Sequence, residues 1–388
     1  MRTLDAVVVG AGPAGLSAAR LLAEEGFDVA VLEEHAALGA PAHCTGVISD
    51  EVSALFKVPD SLVLGRPSSC VVVAPSGRAV ALSGHDEGIA VIDRALFDAE
   101  LGAAALRAGA EIRTGFRVHQ VAVEPRRVLA LGPEGEDVAA RAAILASGVS
   151  YGLSRRLGLG LPSMFLHSAQ LEVDAGSAPP TVELHLGQER APGGFAWLVP
   201  IVRDGRPRVR VGLMAHGDAE RYLRRFLAHP RVAPRLAERP GVAVRRLLPL
   251  GPIAKTYGER VLAVGDAAGL TKPTTGGGIF YSLLSGALAA ETLVEALRRD
   301  RLDDAALRAY ERRWRARLDA HLRISSYLRR LFVKLGDEEI DSLVAAIATD
   351  DLQETIRRTA HFNWHGDVIR SLLRRPGIKS LLLRTLLR

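Results

Sequence analysis

Short apolar runs rich in valine and alanine recur through the first 150 residues, each followed by glycine and a stretch with helical spacing. Residues 4–9 (LDAVVV) and 29–32 (VAVL) are continuous enough for strands buried on both faces, the pattern of a parallel sheet. A helix is predicted between them over 16–25, stopped by Gly26. A loop, LGAPAHCTGVIS at 38–49, interrupts the pattern, with a short helix at 50–56 behind it. Hairpin strands are expected at 71–74 and 79–82 around Pro75-Ser76-Gly77. A helix over 95–108 ends at Gly109, and strands follow at 111–114, 118–123 and 127–131. Residues 137–140 lead into an apolar strand, 142–146, closed by Ser147-Gly148.

The pattern changes after residue 164. Alternating segments at 167–173, 181–186, 195–202 and 207–213 lack crossover helices, which predicts an antiparallel sheet. Helices at 219–227 and 232–238 close that block, and 242–254 lead to a strand at 261–264. From 279 the chain reads as helical, with amphipathic segments at 304–334, 337–348, 350–359 and 366–388. The fold class is therefore α/β, in three parts. A Rossmann-like parallel-sheet domain takes residues 1–60, 88–155 and 255–300. An antiparallel-sheet substrate domain takes 61–87 and 156–254, and a helical C-terminal region takes 301–388.

The first strand runs straight into Gly10-Ala11-Gly12-Pro13-Ala14-Gly15, and the second ends at Glu33. Gly10 allows the tight turn, Gly12 lets backbone approach a pyrophosphate, and Gly15 permits close helix–strand packing. Strand, glycine loop, helix, strand and acid in this order make a dinucleotide fingerprint. Glu33 suits an adenosine with a free 2′-hydroxyl, which excludes NADP from this site. Far downstream, Gly265-Asp266 follows a strand, and Gly276-Gly277-Gly278 opens the helix at Ile279. An acid, bare amides and a helix N-terminus suit a large anionic cofactor.

The chain is 48% hydrophobic and carries a formal charge of +6, almost wholly as arginine: only Lys57, Lys255, Lys272, Lys334 and Lys379 break that rule. This reads either as a compositional bias or as attraction to anionic substrates or membranes. Cys44 and Cys70 make no disulfide framework, and no metal-ligand spacing occurs. A cytoplasmic setting follows as an expectation. No signal-peptide n-region precedes the first strand, and no apolar run reaches 18 residues without a charge, so no spanning helix is expected.

With GAGPAG at the start, DR-x-x-FD at 93–98 and GDA at 265–267, the chain resembles the p-hydroxybenzoate hydroxylase-like flavoprotein superfamily. LGAPAHCTGVIS, GFAWLVP (194–200) and KPTTGGGI (272–279) resemble the narrower geranylgeranyl reductase family, over roughly residues 1–300. That resemblance implies an FAD-dependent oxidoreductase reducing isoprenoid double bonds of a lipid, quinone or pigment precursor. It implies FAD contacts at Gly10, Gly12, Ala14, Gly15, Glu33, Cys44, Thr45, Arg94, Val118, Gly265, Asp266, Gly277, Gly278 and Ile279. Phe195 and Trp197 share one strand face and, with Pro200, would line a prenyl tunnel. Ordinary sheet core is the competing reading. The family often has Tyr at the first of these positions and Phe before the proline; here Phe195 and Val199 stand there.

Cys44 reads either as a small buried hydrophobe or as a catalytic thiol that helps protonate substrate, and His43 as a structural or solvent-facing neighbour. No second dinucleotide fingerprint exists, so NAD(P)H or ferredoxin would donate electrons transiently. The substrate would be a prenylated lipid or prenyl diphosphate. Two rival classes remain: a flavin monooxygenase or halogenase, and a non-catalytic flavin- or lipid-binding protein. Halogenases pair a related tryptophan strand with a catalytic lysine, and no convincing lysine stands in the N-terminal half. The C-terminal stretch 366–388 mixes leucines with Arg370, Arg374, Arg375, Lys379, Arg384 and Arg388. It reads either as a peripheral anchor on the inner membrane face or as a helix packed on the body. Nucleic acid is not an expected partner, since aromatics are not interleaved with the basic positions.

Overall fold

The computed structural model describes residues 2–41, 44–83, 88–175, 181–237 and 241–379. His43 and the last nine residues, with Arg384 and Arg388, lie outside the described residues.

Five strands form the parallel centre of one sheet, in the order Val261–Ala263, Val138–Leu145, Thr3–Val9, Val29–Leu32, Glu111–Arg113. The first four are largely buried on both faces, which is why they read as apolar runs, while the edge strand Glu111–Arg113 carries two charges. The segments expected as 137–140 and 142–146 are one strand, Val138–Leu145. Its first half also pairs with Val128–Leu131, which pairs in turn with Gln120–Val123. Helices Pro13–Glu24 and Ile279–Arg298 pack closely: a Cβ on Gly286 would lie 2.3 Å from the Ala14 carbonyl oxygen. The second of these helices is long and apolar enough to cross a membrane by composition, but 72% of its apolar window is buried inside the fold.

A second sheet runs Val244–Pro249, Phe165–Asp174, Arg206–Ala215, Phe195–Arg203, Val182–His185, Ser69–Val73, Ala79–Ser83. It is not wholly antiparallel, because Val182–His185 and Ser69–Val73 pair in parallel. One face packs on helix Ala219–Leu227 through Ala169, Leu171, Leu198, Val211 and Leu213. The other buries Leu166, Trp197, Val199 and Met214 against Val47 and Val91. Residues 61–87 divide between sheets: Val63–Gly65 joins Val47–Ser49 and Ile89–Ile92 in a separate three-stranded sheet.

Three further sequence expectations are corrected. The helix expected over 232–238 shrinks to one 3₁₀ turn, Ala233–Arg235, where Pro234 limits the backbone. The connecting segment 242–254 contains an edge strand, Val244–Pro249, hidden in the sequence by Arg245 and Arg246. The single helix expected over 366–388 ends at Leu373, because Pro376 has no amide hydrogen to continue the ladder. The other C-terminal helices, Asp304–Phe332, Asp337–Ile347 and Asp350–Thr359, fall where their periodicity places them.

Polar bonds fix one sheet to the other. Asp93 caps helix Arg94–Arg107 by accepting from the amides of Ala95 and Leu96, and it takes Arg203 of the second sheet at 2.5 Å. Buried Arg210 donates to the carbonyls of Thr45 (2.6 Å) and Ile92 (3.0 Å) and pairs with Glu172 at 3.2 Å.

Candidate functional site

A cavity of about 640 Å³ opens where the parallel strands end, at the topological position that favours ligands in such sheets. The glycine loop, the end of the second strand, the Cys44 loop, Ala146–Gly148, and Gly276, Gly278 and Ile279 all line it. Gly10 adopts φ +107°, and a Cβ there would lie 2.4 Å from the Ala146 carbonyl oxygen. A Cβ on Gly12 would meet nothing within 4 Å, so bare backbone faces open space there.

Two helices aim their N-termini at this cavity. Pro13–Glu24 and Ile279–Arg298 start from Gly12 and Gly278, and neither carries a side-chain cap. Their first-turn amides are left without intrahelical acceptors and concentrate positive potential at two points. Glu33 stands between the first strand ends: its Oε2 accepts from the Ala11 amide at 2.7 Å, and its Oε1 from the His35 amide at 3.0 Å. The Asp266 carboxyl borders Gly278, and burial pushes it above its usual range while Arg246 and Arg94 pull it back. The Asp98 carboxyl is likewise raised by burial against the ion pair it makes with Arg94, 2.8 Å away. Open glycine backbone, two uncapped helix ends and a buried acid at the sheet ends fit the diphosphate and polyol of FAD.

Of the residues expected to meet a cofactor, Gly10, Gly12, Ala14, Glu33, Cys44, Arg94, Val118, Asp266, Gly278 and Ile279 line this one cavity. Gly15, Thr45, Gly265 and Gly277 stand behind its wall. Gly15 permits contact with the Gly10 carbonyl, 2.1 Å from where its Cβ would be. Gly265 donates its amide to Ser285 Oγ at 3.0 Å. Thr45 bonds Gln170 of the second sheet at 2.8 Å. A Cβ on Gly277 would lie 2.8 Å from Lys272 Cε.

Phe195, Trp197 and Pro200 do not line the cavity. Phe195 and Trp197 lie in the adjoining apolar layer with Met214 and Leu248, both of which reach Gly276: a Cβ there would lie 3.0 Å from Leu248 Cδ1 and 3.5 Å from Met214 Sδ. Pro200 pairs with Val209 and so falls on the opposite face of the sheet, with the helix-covered layer.

The Cys44 thiol accepts the Gly46 amide at 3.3 Å. Burial pushes the Cys70 thiol up to about 12, so Cys70 is chemically inert near neutral pH. Sequence reasoning missed Arg246, whose strand it did not find. Among the described residues Arg246 makes no ion pair; it lines the cavity and lowers the proton affinity of Asp98, Tyr151 and Asp266. Tyr151 donates to the Asp266 carbonyl at 2.7 Å.

The Thi4 family matches residues 1–132, and the lycopene cyclase protein family matches residues 241–356. Digeranylgeranylglycerophospholipid reductase 2 of Methanopyrus kandleri is 32% identical over 371 residues, covering 91% of this chain and 92% of the relative. A geranylgeranyl bacteriochlorophyll reductase-like protein from Thermoplasma acidophilum shares the fold with a TM-score of 0.86 at 23% identity, over 99% of this chain and 100% of that one. A halogenase solved in complex with FAD shares it more distantly, with a TM-score of 0.69 at 16% identity, over 99% and 90% of the two chains.

Proposed function

The chain belongs to the geranylgeranyl reductase family of flavin-dependent oxidoreductases, and from that premise we propose that it saturates isoprenoid double bonds of a prenylated lipid or prenyl diphosphate. One observation carries the reading. The cavity that fits FAD abuts, at Gly276 and Leu248, an apolar layer containing Phe195 and Trp197, the surface a prenyl chain needs.

When bound and reduced, FAD supplies a hydride to an alkene carbon; the chain binds, orients and keeps water out. Glu33 would hold the ribose hydroxyls, and the backbone at Gly12 would approach the diphosphate. Asp266 would take the ribityl hydroxyls, and the amides at Gly278 and Ile279 would serve the ring. Cys44, placed on the cavity wall, supplies the proton to the neighbouring carbon. Electrons come from NAD(P)H or ferredoxin, which bind transiently. The three-part division into FAD, substrate and C-terminal regions is the organisation on which this rests.

The purified chain, loaded with FAD and reduced anaerobically by dithionite, is expected to reoxidise on addition of geranylgeranyl diphosphate, with product that has gained two hydrogens for each double bond saturated, read by mass spectrometry. Reoxidation that occurs only with oxygen would instead favour a monooxygenase or halogenase. No reoxidation with either leaves a binding protein.

We further propose a cytoplasmic enzyme resting on the inner membrane face through its basic C-terminal stretch. The described part of that stretch packs Ile369 and Ile378 into the protein and leaves Arg374 exposed, so the contact proposed is electrostatic, between basic side chains and anionic headgroups. A chain ended after Trp364 is expected to lose co-sedimentation with anionic liposomes; equal sedimentation of both chains sinks the membrane reading.

A further inference from the structure

We propose that residues 361–366 (HFNWHG) form a positioning latch that sets the spacing of the two loops framing one end of the flavin cavity, with Asn363 as its pivot. The inference rests on the flavin-reductase reading above. One loop, 44–51, brings Cys44 to the cavity; the other, 271–278, brings Gly276 and Gly278. No residue of 361–366 lines the cavity, so these are positioning residues.

Asn363 is 1% exposed and grips both loops with one side chain. Its Nδ2 donates to Ser49 Oγ at 2.9 Å and to Glu51 Oε2 at 2.7 Å on the first loop. Its Oδ1 accepts from Lys272 Nζ at 3.3 Å on the second. Its backbone carbonyl accepts from Tyr281 Oη at 2.9 Å, on the helix whose N-terminus opens into the cavity. The neighbours repeat the pattern. Trp364 Nε1 donates to Glu51 Oε1 at 2.7 Å. Lys272 Nζ donates to the Phe362 carbonyl at 2.8 Å and sits 3.9 Å from that ring centroid. The hydroxyl of Thr274 and Nδ1 of His365 meet at 2.5 Å. Burial, then the Lys272 charge, pushes His365 down to about 3, so the ring is neutral at pH 7 and bonds the hydroxyl without adding a second cation beside Lys272.

A buried amide with all its groups satisfied holds one geometry, because any shift orphans several polar groups at once. Residues 44–46 and 271–278 lack regular structure, whereas Ser49 and Glu51 stand on a strand and a 3₁₀ turn, so the latch ties the second loop to a framework that the sheet already holds. A shift of about 1 Å between them changes how Cys44 and the Gly278 amide converge, an effect that can cost roughly 100-fold in turnover without touching the reacting atoms.

The reciprocal pair N363D and N363D/E51Q tests this on the full-length, FAD-loaded chain. N363D keeps the side-chain shape and the acceptor for Lys272, but loses both donors and sets a carboxylate against Glu51. The double variant exchanges amide and carboxylate and restores a hydrogen bond between the two loops. With dithionite as donor, N363D is expected to lose roughly 100-fold in kcat while KM for geranylgeranyl diphosphate moves less than about threefold. Its flavin absorption bands should shift, and the double variant should recover the parental spectrum and most of kcat. A kcat within about twofold of the parent, or a fall in N363D that the double variant does not recover, overturns the latch. Should N363D not fold, W364F removes the indole donor to Glu51 together with part of the ring packed on Phe280, Tyr281 and His321; an unchanged flavin spectrum and kcat in that variant overturn it equally. If the parent chain itself reduces no prenyl substrate, the function reading fails alone, because the spectral shift and its rescue report on the latch without turnover.

Discussion

Gly10→Ala should yield a chain that purifies without flavin and unfolds at a markedly lower temperature. Two separate penalties meet at this residue. Its φ of +107° is a region that a side chain enters at a cost of roughly 1–3 kcal/mol. Its new Cβ would also lie 2.4 Å from the Ala146 carbonyl oxygen and 2.8 Å from that carbonyl carbon, both backbone atoms. They belong to the end of the strand beside it, so relief requires the first strand to move away from its parallel partner, at roughly 1–3 kcal/mol more. That movement opens the wall of the cavity and displaces the Ala11 amide from Glu33, so FAD affinity should fall by at least about 100-fold. Gly26→Ala is the control. Gly26 also has positive φ, +83°, but a Cβ there meets nothing within 4 Å. It should cost about 1 kcal/mol of stability and keep its flavin. Equal flavin loss in both variants would show that the cavity wall is not what Gly10 protects.

The same local logic explains what the sequence does and does not reveal. A parallel strand buried on both faces must be apolar throughout, and the turn after it must be glycine, so the nucleotide-binding end is written in consecutive residues. The alternating strands 195–202 and 207–213 are legible for the same reason: one face meets a helix, the other meets the Val47 and Val91 layer. Pairing partners are not local. Nothing in residues 69–73 announces that they lie parallel to Val182–His185, more than a hundred residues later. Val244–Pro249 fails the alternation test because it is an edge strand, and edge positions admit Arg245 and Arg246 at little cost. That omission hid Arg246 from the site. The latch was hidden differently. HFNWHG has neither period, and its buried Asn363 is held by polar bonds to partners some ninety and more than three hundred positions away.

Arg329 shows how strongly a residue can be disguised by its surroundings in sequence. It stands in an arginine-rich amphipathic helix, Asp304–Phe332, where its neighbours are solvated, yet it is only 4% exposed. No carboxylate pairs with it among the described residues. Instead Nε donates to the Pro273 carbonyl at 2.6 Å, and the two terminal nitrogens donate to the carbonyls of Gly193 and Thr274. Burial lowers its proton affinity to about 10, which still leaves it charged at neutral pH. One planar fork thus ties the C-terminal helix to a turn of the second sheet and to the loop that ends at Gly278. Arg329→Met removes a charged donor from three carbonyls, each costing roughly 1–3 kcal/mol when left unpaired. Relief of the guanidinium's own desolvation returns part of that, leaving a net loss of roughly 3–5 kcal/mol. The freed loop should also raise the rate of FAD release. Arg329→Lys keeps the charge but not the fork, since one ammonium cannot align with carbonyls on separate segments, and it should fall between parent and Met variant in both measurements. Denaturant unfolding together with flavin-release kinetics decides the matter. A Met variant within about 1 kcal/mol of the parent, with unchanged release, would mean that the loop is held by the Lys272 and Thr274 contacts without Arg329.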